Sequence, residues 1–203
     1  MTLTFKIQLR GIKKPPVWRR IEIPAKSTFE DFHMIIQVAF GWCNAHLYMF
    51  QQRPYDRGWI VKTPDENDDY YYDEVVNADT MLVSAFLRKV GVTKFVYLYD
   101  FGDSWVHDIT LEKVDAKKTM PCAVCLAGKG ACPPEDCGGV WGYEEIKRLF
   151  AEEPDSEETK EYREWMEMED GEEFDPTRFH IDIVNAMLEK YGEISKMKMW
   201  VKE

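Results

Sequence analysis

Apolar and polar residues alternate at the start of the chain. Leu3, Phe5, Ile7 and Leu9 fall on one side of LTFKIQL, the period-two pattern of a half-buried strand. GIKKPP breaks it, because Pro15 and Pro16 cannot donate to a ladder. VWRRIEIP then reads as the returning strand, with Val17, Arg19, Ile21 and Ile23 on one face and Trp18, Arg20 and Glu22 on the other. The period next switches to helical. Phe29, Phe32, Ile36 and Phe40 form a stripe, Ser27 or Thr28 is placed to cap it, and Gly41 to end it. HLYMFQQ follows as a third strand. Strand, strand, helix, strand is a β-grasp-like order, an analogy of pattern only.

The remaining pattern is less even. Trp59 to Lys62 reads as a short strand followed by an acid-rich loop. Asp79 is placed to cap a helix over Thr80 to Val90, closed by Gly91. KFVYLYD and SWVHDITLEKV read as two further strands joined by Phe101, Gly102 and Asp103. After a cysteine-containing loop come helices over Tyr143–Ala151 and Glu157–Met168. FDPTRFHIDIVNAMLEKYG gives a last helix, with Asp175 as N-cap, Pro176 first, and Gly192 past the end. Its expected stripe is Phe179, Ile183, Val184, Met187 and Tyr191. The expected architecture is therefore α+β: a mixed or antiparallel sheet with a helical C-terminal segment. One domain should span residues 1–203, with a body over about 1–142 and an acidic helical segment over about 143–192.

Charge changes this picture in one respect. The net charge of −11 is not evenly spread: residues 144–175 hold 15 acidic and 4 basic residues, and the rest hold 22 of each. A neutral body with one acidic segment offers no surface for phosphate backbones, so nucleic acid is not an expected partner. No apolar run is long enough to span a membrane, and the N-terminus lacks a signal-peptide core, so a cytoplasmic location is expected. The five cysteines are then expected as thiols or metal ligands rather than disulfides.

Four pieces occur in a distinctive order: PPVWRRIEIP, HMIIQVAFGWCNAHLYMF, YLYDFGDSWVHDITLE and PPEDCGGVWGY, with FDPTRF later. Together they resemble the plasmid pRiA4b ORF-three-like family, from about Phe5 to Asn185. The resemblance implies no established activity. Some members carry a resolvase-like name, which does not transfer. A serine resolvase needs an early nucleophilic serine and a basic helix-turn-helix. Here the first serine is Ser27, at a helix cap, and the second half is acidic.

Candidate chemistry gathers in three places. In YDFGDSWVH, Asp100 and Asp103 flank Gly102, and His107 shares a strand face with Trp105 and Ile109. This is either a hairpin turn with a hydrogen-bonded core histidine, or two carboxylates and an imidazole able to bind a metal or move a proton. His33 and His46 read as packing or capping residues. Cys122, Cys125, Cys132 and Cys137 are spaced C-x2-C-x6-C-x4-C; the first pair suits tetrahedral thiolates, so a zinc ion is a possible cofactor, against free thiols. Glu135 and Asp136 stand between two prolines and, beyond Cys137, two glycines, which makes either a rigid cation or amine site or an elaborate turn. Trp18, Arg19 and Arg20 make an anion-binding surface or an edge strand with snorkelling stems.

Two functional readings follow. One is a binding or interaction module for a protein or small molecule, with its site where the DFGD turn meets PPEDCGG. The alternative is a metal-dependent hydrolase-like enzyme using Asp100, Asp103 and His107, helped by Glu135 or Asp136.

Overall fold

The computed structural model describes residues 1–56, 58–64, 74–169 and 171–200. Among the described residues, eight strands form one sheet: β1 Thr2–Leu9, β2 Trp18–Pro24, β3 Tyr48–Gln51, β4 Trp59–Lys62, β5 Glu74–Asn77, β6 Lys94–Tyr99, β7 Trp105–Asp115 and β8 Val124–Lys129. Five helices accompany it in the same residues: α1 Phe29–Phe40, α2 Val83–Val90, α3 Gly139–Glu152, α4 Glu157–Trp165 and α5 Ile181–Trp200. The class is α+β, with three of the five helices at the C-terminal end.

Strand order is β5-β4-β3-β6-β7-β1-β2-β8, antiparallel throughout except for the β4–β5 pair. The strand–strand–helix–strand sequence is present, but β3 does not come back beside β1. β6 and β7 lie between them. β2 is no edge strand either, because β8 covers it. β8 was not expected, since VCLAGK lacks both alternation and bulk, and its pairing supplies what its pattern does not. β5 falls in the acid-rich stretch read as loop; the rest of that stretch, 65–73, lies outside the described residues.

Alternation in β1, β2, β6 and β7 places Phe5, Ile7, Leu9, Ile21, Ile23, Phe95, Tyr97, Tyr99, Trp105 and Ile109 in one core with Phe29, Phe32 and Ile36 of α1. Full burial of each such side chain is worth roughly 1.5–3 kcal/mol, so this helix-covered face dominates the stability. The other face has only a small cluster of Met49, Ile60, Leu98 and Val106. Charged pairs such as Arg20–Glu112 and Arg10–Asp108 cross much of the rest of it.

α1 begins as expected. The Thr28 hydroxyl accepts from Asp31 N, the Asp31 carboxylate accepts from Thr28 N, and Gly41 ends the helix at φ 101°. α2 starts later than expected. Residues 78–80 form a turn and Leu82 is extended, bridged to Thr28, with Val83 N bonded to Ser27 O, so Asp79 caps nothing. α5 differs most. Asp175 closes a turn, accepting from Thr177 N, and the helix starts only at Ile181. Its buried side is Val184, Leu188 and Tyr191, while Ile183 and Met187 are exposed. Gly192 lies inside it.

Candidate cation site

One loop and two turns build the site. The loop is 42–46, between α1 and β3. The Trp42 indole lies in the core against Tyr99 and Trp105 and donates to Pro133 O at 3.0 Å. Asn44, in the left-handed region at φ 57°, donates from its backbone to Gln37 Oε1 and accepts at Oδ1 from His33 Nε2, 2.7 Å away. His33 Nδ1 then accepts from the Tyr97 hydroxyl at 2.8 Å, and Gln37 Nε2 donates to that same oxygen. His33 is also stacked flat on Tyr48 at 3.6 Å. Burial pulls its pKa down to about 4. His33 is thus a neutral structural residue that pins the loop and so places His46.

The first turn follows β6. Asp100 (φ 54°) and Ser104 (φ 55°) both adopt left-handed backbone. Asp100 Oδ1 accepts from Gly102 N at 2.9 Å, and Asp100 O from Ser104 N at 2.7 Å. The second turn is PPEDCGG. Gly138 N donates to Asp103 Oδ2 at 3.1 Å, and a Cβ on Gly139 would lie 2.5 Å from Asp103 O. Only glycine permits that approach at φ 69°. These two contacts dock the second turn onto the first.

Four side chains converge as a result. His46 Nε2 lies 3.2 Å from Asp136 Oδ1, 3.6 Å from Glu135 Oε2 and 3.8 Å from Asp100 Oδ2. That nitrogen is sealed from solvent and makes no hydrogen bond. Donor atoms of His46, Asp100 and Asp136 all lie within 4.8 Å of one another. Glu135 is held from behind: the Tyr99 hydroxyl donates to it at 3.1 Å, and Cys43 N donates to Oε1 at 2.8 Å. Burial and the nearby Glu135 charge raise the Tyr99 pKa, keeping the phenol protonated and donating. Asp100 is buried, while the Asp136 side chain is 68% exposed, so the group opens to solvent on that side.

The structure brings Asp100, Asp103, Glu135 and Asp136 together at the junction of the two turns. It does not bring His107. That ring is fully buried, its Nδ1 donates to Trp105 O at 3.1 Å, and it is caged edge-on by Phe40 and Trp42. An inward position on β7 requires this, so the Asp100–Asp103–His107 constellation is corrected: the imidazole that lies beside the acids is that of His46. Asp103 serves the turn. The residue missed by pattern, His46, stands two positions before β3 and bears no spacing relation to the acids.

The expected zinc site is not assembled. All five cysteines are unpaired. Among the described residues, the one group of three or more donors close enough to share an ion contains no sulfur. β8 explains why: it turns Cys125 into the core, while Cys122 lies against α5 at Gly192 and Cys137 enters the α3 turn. Burial pushes the Cys125 and Cys132 thiols up, and the Cys137 thiol to about 12, away from thiolate. Arg19 is no anion surface. It is buried, donates to the carbonyls of Trp18, Ala39, Lys129 and Gly130, and lies against the Phe40 and Phe179 rings.

The profile of the family described as "Plasmid pRiA4b ORF-3-like protein" matches residues 1–183. The chain belongs to that family. A relative from Sinorhizobium fredii (strain NBRC 101917 / NGR234), "Uncharacterized protein y4hQ", is 36% identical over 152 residues, covering 75% of this chain and 74% of its own. A solved structure, "Crystal Structure of Protein of Unknown Function MM3350 from Methanosarcina mazei Go1", is similar at a TM-score of 0.70 and 30% identity, over 89% of this chain and 96% of that one. Among the described residues, no helix is long and apolar enough to cross a membrane.

Proposed function

We propose that this pRiA4b ORF-3-like chain is a binding module whose ligand is a cation, taken where the 100–104 turn meets PPEDCGG. One observation carries the reading: His46 Nε2, buried and without a hydrogen bond, is ringed by carboxylate oxygens of Asp100, Glu135 and Asp136. Buried polar atoms are ordinarily paired; Gln51 Nε2, Trp105 Nε1 and His107 Nε2 are unpaired too, but His46 Nε2 is the one ringed by carboxylates, where a cation would pair it. Concentrated negative charge beside a protein surface selects for positive ligands. The hydrolase reading loses support with its histidine, because His107 faces aromatic rings rather than the acids.

A ligand that binds only the folded state raises its melting temperature. Melts are recorded with Mg2+, Ca2+, Mn2+, Zn2+, spermidine and arginine ethyl ester, each matched for ionic strength with sodium chloride. At least one cation should raise the midpoint beyond the salt control. The rise should vanish in Asp100→Asn, which keeps an oxygen for Gly102 N but removes the charge. A flat panel would dispose of the reading.

A further inference from the structure

We infer that the cation is a divalent first-row transition ion bound by His46 Nε2, Asp100 Oδ2 and Asp136 Oδ1, an inference that rests on the pocket being a cation site. Metal–nitrogen and metal–oxygen bonds of roughly 2.0–2.2 Å place neighbouring ligands about 3.0 Å apart in an octahedron and about 3.4 Å in a tetrahedron. His46 Nε2 stands 3.2 Å from one carboxylate oxygen and 3.8 Å from the other, and the three donors lie within 4.8 Å of each other. A small inward movement closes the triad, and the exposed Asp136 side chain is free to make it.

Two aspartates neutralise a divalent charge. An imidazole nitrogen among them favours first-row transition ions, zinc and cobalt ahead of manganese, over calcium and magnesium, which prefer oxygen alone. Two buried groups point the same way. The Nε2 atom has no hydrogen bond, and the Asp100 side chain, 9% exposed, spends Oδ1 on Gly102 N and turns Oδ2 toward the ring. An organic ammonium would satisfy the carboxylates, yet it would be drawn to the exposed oxygens rather than to a sealed nitrogen. Glu135, fixed by Tyr99 and Cys43 N, adds negative charge behind the ring. Three protein ligands leave at least one position for water or a further ligand, on the side where Asp136 meets solvent.

The test uses the whole chain, stripped with a chelator and titrated calorimetrically with Zn2+, Mn2+ and Mg2+. One equivalent of Zn2+ or Mn2+ should bind, and Mg2+ should bind much more weakly. His46→Ala should lower affinity by about a hundredfold or more, and Asp136→Asn, at an exposed position that stays folded, should weaken it too. The Co2+ form should lack a thiolate charge-transfer band. Absence of transition-ion binding, binding undiminished in both variants, or a thiolate band that disappears in Cys122→Ser would each overturn the inference. If spermidine or arginine ethyl ester stabilises the protein through Asp100 while no transition ion binds, the metal fails and the cation reading stands. If nothing binds, both fail.

Discussion

His107 shows how one inward position decides a residue's chemistry. The alternation of β7 sends it into the core with Trp105 and Ile109, and its Nδ1 takes a backbone carbonyl as partner. Burial pulls its pKa down to about 3; the Arg19 charge on β2 works in the same direction, and the Asp108 charge opposes it. Phe40, Trp42 and Tyr97 supply the rest of the cage. The sign of the pH effect follows. The unfolded histidine takes a proton below about pH 6.5, whereas the folded one stays neutral until about pH 3. Stability from this residue is therefore complete above the unfolded pKa and falls as pH drops through the window between the two values. The slope approaches about 1.4 kcal/mol per pH unit. His33 adds a similar slope down to about pH 4. Unfolding free energies of the wild type and of His107→Met, measured from pH 4.5 to 6, should diverge by about that slope per unit. Parallel curves would show that His107 is not buried neutral. Facing direction was legible from the strand pattern. The site's own histidine was not, because His46 reaches the acids only through the loop that His33, Gln37 and Asn44 hold.

Elements were legible where their own side chains determine them. α1 carries its cap, its stripe and its terminal glycine in sequence, and all three are realised. β1, β2, β6 and β7 follow their alternation. β8 and α5 differ because tertiary partners determine them. β8 gains its identity from pairing with β2 and from Asn185 of α5, which bonds both N and O of Cys125. Gly192 has the look of a helix terminator, yet it lies within α5 because a bare Cα lets the helix settle on Cys122. An added Cβ would stand 2.5 Å from the Cys122 Cβ. Intrinsic propensity favours alanine over glycine in a helix by about 1 kcal/mol. Here packing should win, and Gly192→Ala should destabilise the protein by roughly 1–3 kcal/mol, as overpacking does. A chemical-denaturation midpoint at or above the wild type would mean that α5 does not press on this segment.

At the scale of the whole molecule, charge governs which partners can approach. Residues 144–175 carry the entire net charge of −11, and the segment takes in the later part of α3 and all of α4. The acids of the candidate site add to the same sign. The nearest thing to a basic patch, Lys13, Lys14, Arg19 and Arg20, is not one in the fold. Arg19 is buried among carbonyls, and Arg20 is engaged by Glu112 at 2.6 Å. Affinity for duplex DNA comes mainly from counterions released by free lysines and arginines that meet phosphates. Two lysines beside an acidic surface release too few to overcome the repulsion. The expectation is therefore no shift of a labelled duplex at physiological salt with protein at tens of micromolar, roughly the range in which non-specific binders are already visible. Lowering the salt should not rescue binding, because weaker screening strengthens the repulsion as well. A salt-sensitive complex at micromolar affinity would contradict this and would locate a cationic surface on the polar face of the sheet, where Lys6 and Lys113 stand.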